Sequence, residues 1–207
     1  MKATFIALLL FCNCLVNAQS NDSTVVRSVY GSTNTELKDL MSFIGVEKFR
    51  LELNDPKLAG KYFHLTCQEY KNGIAQPEQE MFGFGTRKEI LQIDSTGKFT
   101  IDVYARTVDP TTIEALFKLP KVSQRKTFKV EADDARRFSF RTDVVAYKNE
   151  KARIPMSKKI LFFVHSLPYL KDGFYLYCAV AESQVPVNEW HKQFGVKHVI
   201  AYNLILE

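Results

Sequence analysis

The chain has 207 residues, of which 46% are hydrophobic and 25% charged, with a formal net charge of +5. That length suits one domain with a sizeable core, and so mild a charge excess gives no reason by itself to expect a polyanionic partner. The chain also lacks any later apolar run near the roughly 20 residues that a membrane-spanning helix requires.

The first segment reads as an address. Lys2 supplies a short positive region, and Phe5 to Val16 supply an apolar stretch of about a dozen residues, too short to span a bilayer. Val16 and Ala18 are small residues where a signal peptidase reads, so residues 1–18 are expected to be a cleaved signal peptide and the mature chain to begin at Gln19. Lipid anchoring through Cys12 or Cys14 is the weaker alternative, because Phe11 and Asn13 are poor residues to precede a lipidated cysteine. The expected location is therefore the periplasm or the outside of the cell, where nucleic acid is not an expected partner.

Residues 19–32 read as a polar leader, and residues 33–207 as a single domain. Thr33 and Glu36 have the spacing of a capping box, so a helix is predicted from there, with Leu37, Leu40, Met41 and Ile44 on one face and Gly45 ending it. That apolar stripe is expected to cover one side or end of a sheet. Phe49, Leu51 and Leu53 then alternate with charged residues, which predicts a strand. A second strand, Lys61 to Tyr70, runs into Asn72-Gly73, the pair that best fits a tight hairpin turn. Its return is unclear until Met81, Phe82 and Phe84, because Pro77 intervenes.

Ile90 to Asp94 and Lys98 to Arg106 are predicted as a hairpin about Ser95, Thr96 and Gly97. Asp109 and Pro110 suit a helix start, with Ile113, Leu116 and Phe117 on one face, so a short helix is expected before Pro120. Strands follow over Thr127–Glu131, Arg136–Tyr147 and Lys158–Ser166, the last containing an unbroken apolar run, Ile160 to Val164, that implies burial on both faces. Asp172-Gly173 turns the chain into Phe174–Glu182, Trp190 and Phe194 share the face of a short helix ended by Gly195, and Lys197–Leu206 closes the chain as a strand. Many short strands with few helices predict a mainly β fold, an antiparallel two-sheet sandwich of jelly-roll or immunoglobulin-like type.

After cleavage two cysteines remain, Cys67 and Cys178, both in the inward phase of their strands. Either they are bridged, closing a loop worth about 4–5 kcal/mol in the chain-entropy model, or they are two buried thiols. Eleven Lys or Arg against five Asp or Glu lie between Arg125 and Lys159, a run best explained as the solvated face and guarded edges of strands.

No catalytic residue is singled out. The sequence has no Gly-x-Ser-x-Gly elbow, His64 and Cys67 fall on opposite faces of one strand, and Gly83-Phe84-Gly85 does not open a helix as a phosphate loop would. His64, His165, His191 and His198 lack metal-ligand spacing, so neither metal nor cofactor is expected. Glu69, Glu80, Glu114 and Glu182 are the carboxylates from which a glycosidase-like pair would have to come. Among 26 aromatic residues, Tyr175, Tyr177 and Trp190 are the candidate ligand-binding set, since flat amphipathic rings suit a sugar or a protein partner.

Through Glu69 to Gly73 and Asp172 to Cys178 the chain resembles small exported β-sandwich proteins of Gram-negative gut bacteria that carry no assigned function. The resemblance implies a sandwich and bacterial export, and no functional residues. The leading expectation is an exported non-catalytic binding or accessory domain for a glycan or an envelope protein. The alternatives are an assembly subunit pairing through sheet edges and a hydrolase whose carboxylates converge in space.

Overall fold

The structure, a computed structural model, describes residues 23–82, 88–132, 134–142, 151–177 and 185–207. The segment expected to be a signal peptide, Phe84 and Cys178 lie outside the described residues. Among the described residues the fold is mainly β, with antiparallel sheets and two short α-helices.

In chain order the strands are β1 (Ser23–Tyr30), β2 (Val46–Asn54), β3 (Phe63–Lys71), β4 (Ile74–Ala75), β5 (Gln79–Glu80), β6 (Lys98–Asp109) and β7 (Thr112–Lys118). They continue with β8 (Ser123–Lys129), β9 (Ser139–Arg141), β10 (Lys151–Pro155), β11 (Ile160–Ser166), β12 (Tyr169–Lys171), β13 (Phe174–Leu176) and β14 (His198–Leu206). The helices are α1 (Thr35–Phe43) and α2 (Trp190–Phe194). One sheet has the order β10-β1-β2-β6-β7-β8, a second β4-β3-β14-β11-β9 with β5 also on β3, and β12-β13 form a separate hairpin.

The alternating residues of both larger sheets meet in one core. Phe49, Leu51 and Leu53 of β2 lie opposite Val103, Ile101 and Phe99 of β6, and from the other sheet Phe140, Phe163 and Tyr202 pack against Phe117. The opposite side of the first sheet is laced by cross-strand ion pairs in which half-exposed arginines cover buried carboxylates. Arg50 holds Asp102 through two hydrogen bonds of 2.8 and 2.7 Å, and Arg106 holds Glu114 at 2.7 Å. The hydrogen bonds from Arg50 keep the Asp102 carboxyl below its usual range.

Several expected elements are realised. Asn72 (φ 50°) and Gly73 (φ 79°) make the tight turn after β3, Asp172 (φ 52°) and Gly173 (φ 82°) join β12 to β13, and β14 ends the chain between β3 and β11. Ile160–Val164 falls in β11, where a bulge between Leu161 and Phe163 accompanies full burial of both Phe162 and Phe163.

Others are corrected. The expected polar leader contains β1, in which Thr24 and Val26 point inward. The segment 109–120 is no helix: Ile113, Ala115 and Phe117 are all fully buried in β7, and Asp109 accepts from the Thr111 backbone, an Asx turn that closes a hairpin instead of capping a helix. Ile90–Asp94 is not a strand either. Among the described residues its one ladder contact is the bridge Tyr62–Gln92, while β6 pairs with β2 and β7 and Ile93 sits in the core beside residues 60–63.

Gly97, at φ 65°, is held where a Cβ would stand 2.2 Å from the Asp55 carbonyl oxygen. Gly97→Ala is therefore expected to cost about 2–3 kcal/mol, from overpacking against backbone and a left-handed conformation. A lower urea midpoint at unchanged slope would show it, and an unchanged midpoint would refute it.

Candidate functional site

A cavity of about 1100 Å³ opens where the core meets one end of the sheets. Five segments converge there. β1 ends at Tyr30, Gly31 turns the chain at φ 75°, α1 follows, and Gly45 at φ 67° leads into β2. The β6–β7 turn at Val108, Asp109 and Pro110 forms a second wall, and the 3-10 turn Ala135–Arg137 with Phe138 and His165 a third.

The cap of α1 is Asn34, whose Oδ1 accepts from Leu37 N at 2.8 Å, one residue after the expected Thr33. The larger difference is in its packing. Only Met41 is buried, while Leu37, Leu40, Phe43 and Ile44 are exposed, so the apolar stripe does not cover a sheet. Met41 alone is buried on this helix, and its other apolar side chains border the cavity or solvent.

Glu47 continues the inward row of Phe49, Leu51 and Leu53 by one step and faces the second sheet. Its carboxylate accepts from Ser139 Oγ at 3.2 Å and from the Phe140 backbone N–H at 2.8 Å, joining β2 to β9. Burial pushes its pKa up, against the opposing pull of the Phe140 N–H, Arg141 and Ser139. Glu47→Ala is expected to cost about 1–3 kcal/mol, because two donors lose their acceptor, whereas Glu47→Gln keeps an acceptor and should lose less. Equal stability of all three proteins in denaturant titrations would sink this account.

A row of polar groups crosses the inner side of the second sheet at the same end. Lys71 Nζ lies 3.1 Å from Glu69, whose Oε1 is 2.7 Å from His198 Nε2. The Phe138 ring stands edge-on to both His198 and His165, with centroids 5.1 and 5.4 Å away. Burial tends to raise the pKa of Glu69, but hydrogen bonds from His198 and Lys71 outweigh it and leave the carboxyl below its ordinary range. His165 is 2% exposed, has no hydrogen-bond partner at Nδ1 among the described residues, and burial together with nearby His198 pushes its pKa down to about 3. The two histidines, isolated in sequence, are brought close by the pairing of β11 with β14. Among the described residues no three His, Cys, Asp or Glu side chains form a metal-holding group.

The aromatic residues singled out from sequence do not form one surface. Tyr175 is 56% exposed on β13, with the Arg137 guanidinium 4.4 Å from its ring centroid. Tyr177 is half-buried, donates its hydroxyl to the Arg137 carbonyl at 2.9 Å and has Arg141 over its ring. Trp190 is buried beside Val164, Tyr169, Val196 and Val199 on the outer side of the second sheet, its Nε1 donating to the Val185 carbonyl at 2.8 Å. The two tyrosines are thus neighbours through Arg137, and Trp190 belongs to a packed cluster.

Cys67 points inward as expected and its thiol is free and buried, while Cys178, the other half of the bridge alternative, lies outside the described residues. It sits in the interior opposite Tyr202, and burial raises its pKa despite Lys126 nearby. Of the named carboxylates, Glu69 is tied to His198 and Lys71 in the second sheet and Glu114 to Arg106 and Arg125 in the first. Glu80 is exposed on β5, and Glu182 lies outside the described residues.

Sequence reasoning missed Glu47, Phe138 and His165 as neighbours. The one available signal was Glu47 itself, a carboxylate in phase with the apolar side of β2. No protein-family model, curated protein or solved structure matches this chain.

Proposed function

We propose that this chain is an exported, non-catalytic binding domain, built as a two-sheet sandwich, that holds a ligand in the groove between α1, the β6–β7 turn and Phe138. The groove carries this reading: a concave site of about 1100 Å³ bordered by apolar side chains left to solvent, with polar groups converging at its floor. The titratable groups there favour a wall over a proton relay. Both Glu47 oxygens are occupied by the second sheet, and His165 is kept neutral. Export follows from the signal reading of residues 1–18 and supports a periplasmic or extracellular address.

A thermal-shift screen of the mature chain against small molecules and glycans tests the reading, since a ligand of the folded state raises Tm. Ile44→Arg, which blocks the groove from an exposed position, should abolish the shift. Ligands that stabilise both proteins equally would place binding elsewhere.

One observation favours a second reading, an envelope-protein contact on the β12–β13 hairpin. Leu170, Phe174, Tyr175 and Leu176 are all exposed on it, an apolar group unusual for a free surface. Strand addition to the first sheet is disfavoured, because β8 carries Arg125, Lys126 and Lys129 and β10 ends in Pro155, features that guard an edge. Loss of a co-purifying partner on Phe174→Asp would support the hairpin, and its retention would remove it.

A further inference from the structure

We infer that the groove takes a small amphiphilic anion: an apolar chain or ring bearing one carboxylate, sulfonate or phosphate group. This rests on the binding reading above and names the ligand class for the same site.

The first argument is charge. Lys38 of α1, Lys48 of β2, Arg106 of β6 and Arg136 of the 3-10 turn all line the groove from different elements. The carboxylates that line it are Glu47 and Asp109, and both are occupied. Glu47 accepts from Ser139 and Phe140, and Asp109 accepts from the backbone N–H and hydroxyl of Thr111. The acids of α1 itself, Glu36 and Asp39, do not line the groove. Arg106 is engaged by Glu114, and Lys48 lies over the Tyr104 ring. Lys38 and Arg136 form no ion pair among the described residues, so an anionic head group finds two uncommitted cations at the rim.

The second argument is apolar surface. Phe43, Ile44 and Val108 border the groove at 88%, 51% and 47% exposure, with buried Phe138 behind them. A ligand body laid along them removes from water a surface that the fold itself leaves uncovered. Third, the floor holds an unmet polar atom. His165 lines the groove, is almost wholly buried, and has no partner for Nδ1 among the described residues. A neutral imidazole can donate or accept there according to its tautomer, which suits an oxygen of the ligand without adding a buried charge.

Fluorescence titration of the mature chain with 11-(dansylamino)undecanoic acid and with its neutral methyl ester tests the class. The acid is expected to bind at least about tenfold more tightly than the ester. The double variant Lys38→Glu, Arg136→Glu should weaken the acid about tenfold and leave the ester within about twofold, whereas Ile44→Arg should weaken both. Both rim side chains are exposed and without an ion pair among the described residues, so folding should be retained. The neutral pair Lys38→Gln, Arg136→Gln, with an intermediate loss, separates attraction from misfolding. Equal binding of acid and ester, both lost in Ile44→Arg, would overturn the anion and leave the groove as a binding site. Binding insensitive to every groove variant would overturn both. No binding of either probe would overturn the amphiphile, leaving the wider thermal-shift screen to decide the binding reading separately.

Discussion

Trp190→Ala is expected to lower stability by about 3–5 kcal/mol, the range for emptying a large aromatic site in a packed core. The ring is 2% exposed and fills the cluster of Val164, Tyr169, Val196 and Val199, and its Nε1 hydrogen bond to Val185 would be lost with it. The helix that carries Trp190 has five residues, far below the length at which a helix is stable alone, so docking of this side chain is what holds it. Denaturant titration followed by far-UV circular dichroism is the appropriate measurement, because the substitution removes the chain's single tryptophan. A loss under about 1 kcal/mol would mean that the cluster unfolds separately from the main core. The same variant tests the expected grouping of Trp190 with Tyr175 and Tyr177 as a ligand-binding set. If Trp190 is purely architectural, folded variant protein binds groove ligands as the parent does.

Acid is expected to remove about 3 kcal/mol of stability through His165 between pH 7 and pH 4. The pKa of this histidine is pushed down to about 3, by burial first and by His198 second, from an ordinary 6.5. As pH falls below 6.5 the unfolded chain takes up a proton that the folded chain refuses until about pH 3. The stabilisation is therefore complete above pH 6.5 and drains away across that window, at up to about 1.4 kcal/mol per pH unit. The lowered carboxyls of Glu69, Glu78 and Asp102 also weaken the fold in acid, but only toward the low end of the range. Comparison with His165→Leu cancels them: the stability difference between the two proteins should change by about 3 kcal/mol from pH 7 to pH 4. A difference independent of pH would show that His165 is protonated in the folded state and that its site is wet.

Legibility varied with the range of the interactions involved. Asn72-Gly73, Asp172-Gly173 and Gly45 need backbone angles that few residues tolerate, so those turns could be read from adjacent residues. The alternation in β2, β3 and β14 was equally plain, because period two is a local property. Where local signals competed, tertiary pairing won. Asp109-Pro110 has the chemistry of a helix start, yet Ile113, Ala115 and Phe117 are drawn into the sheet between β6 and β8. The capped, amphipathic α1 formed as a helix, but nothing local could say that its stripe would stand beside a groove instead of on a core.

By itself, then, the sequence determined a β-rich chain, the positions of its tight turns, the inward phase of Cys67 and the helix around Trp190, since each depends on neighbouring residues alone. It also carries the export reading of residues 1–18. Only the tertiary structure decided that Glu47 of β2 reaches β9, that His165 and His198 share Phe138, and that Lys38, Lys48, Arg106 and Arg136 surround one cavity. These residues come from segments far apart in the chain, and their meeting depends on strand order and register, which no local pattern encodes.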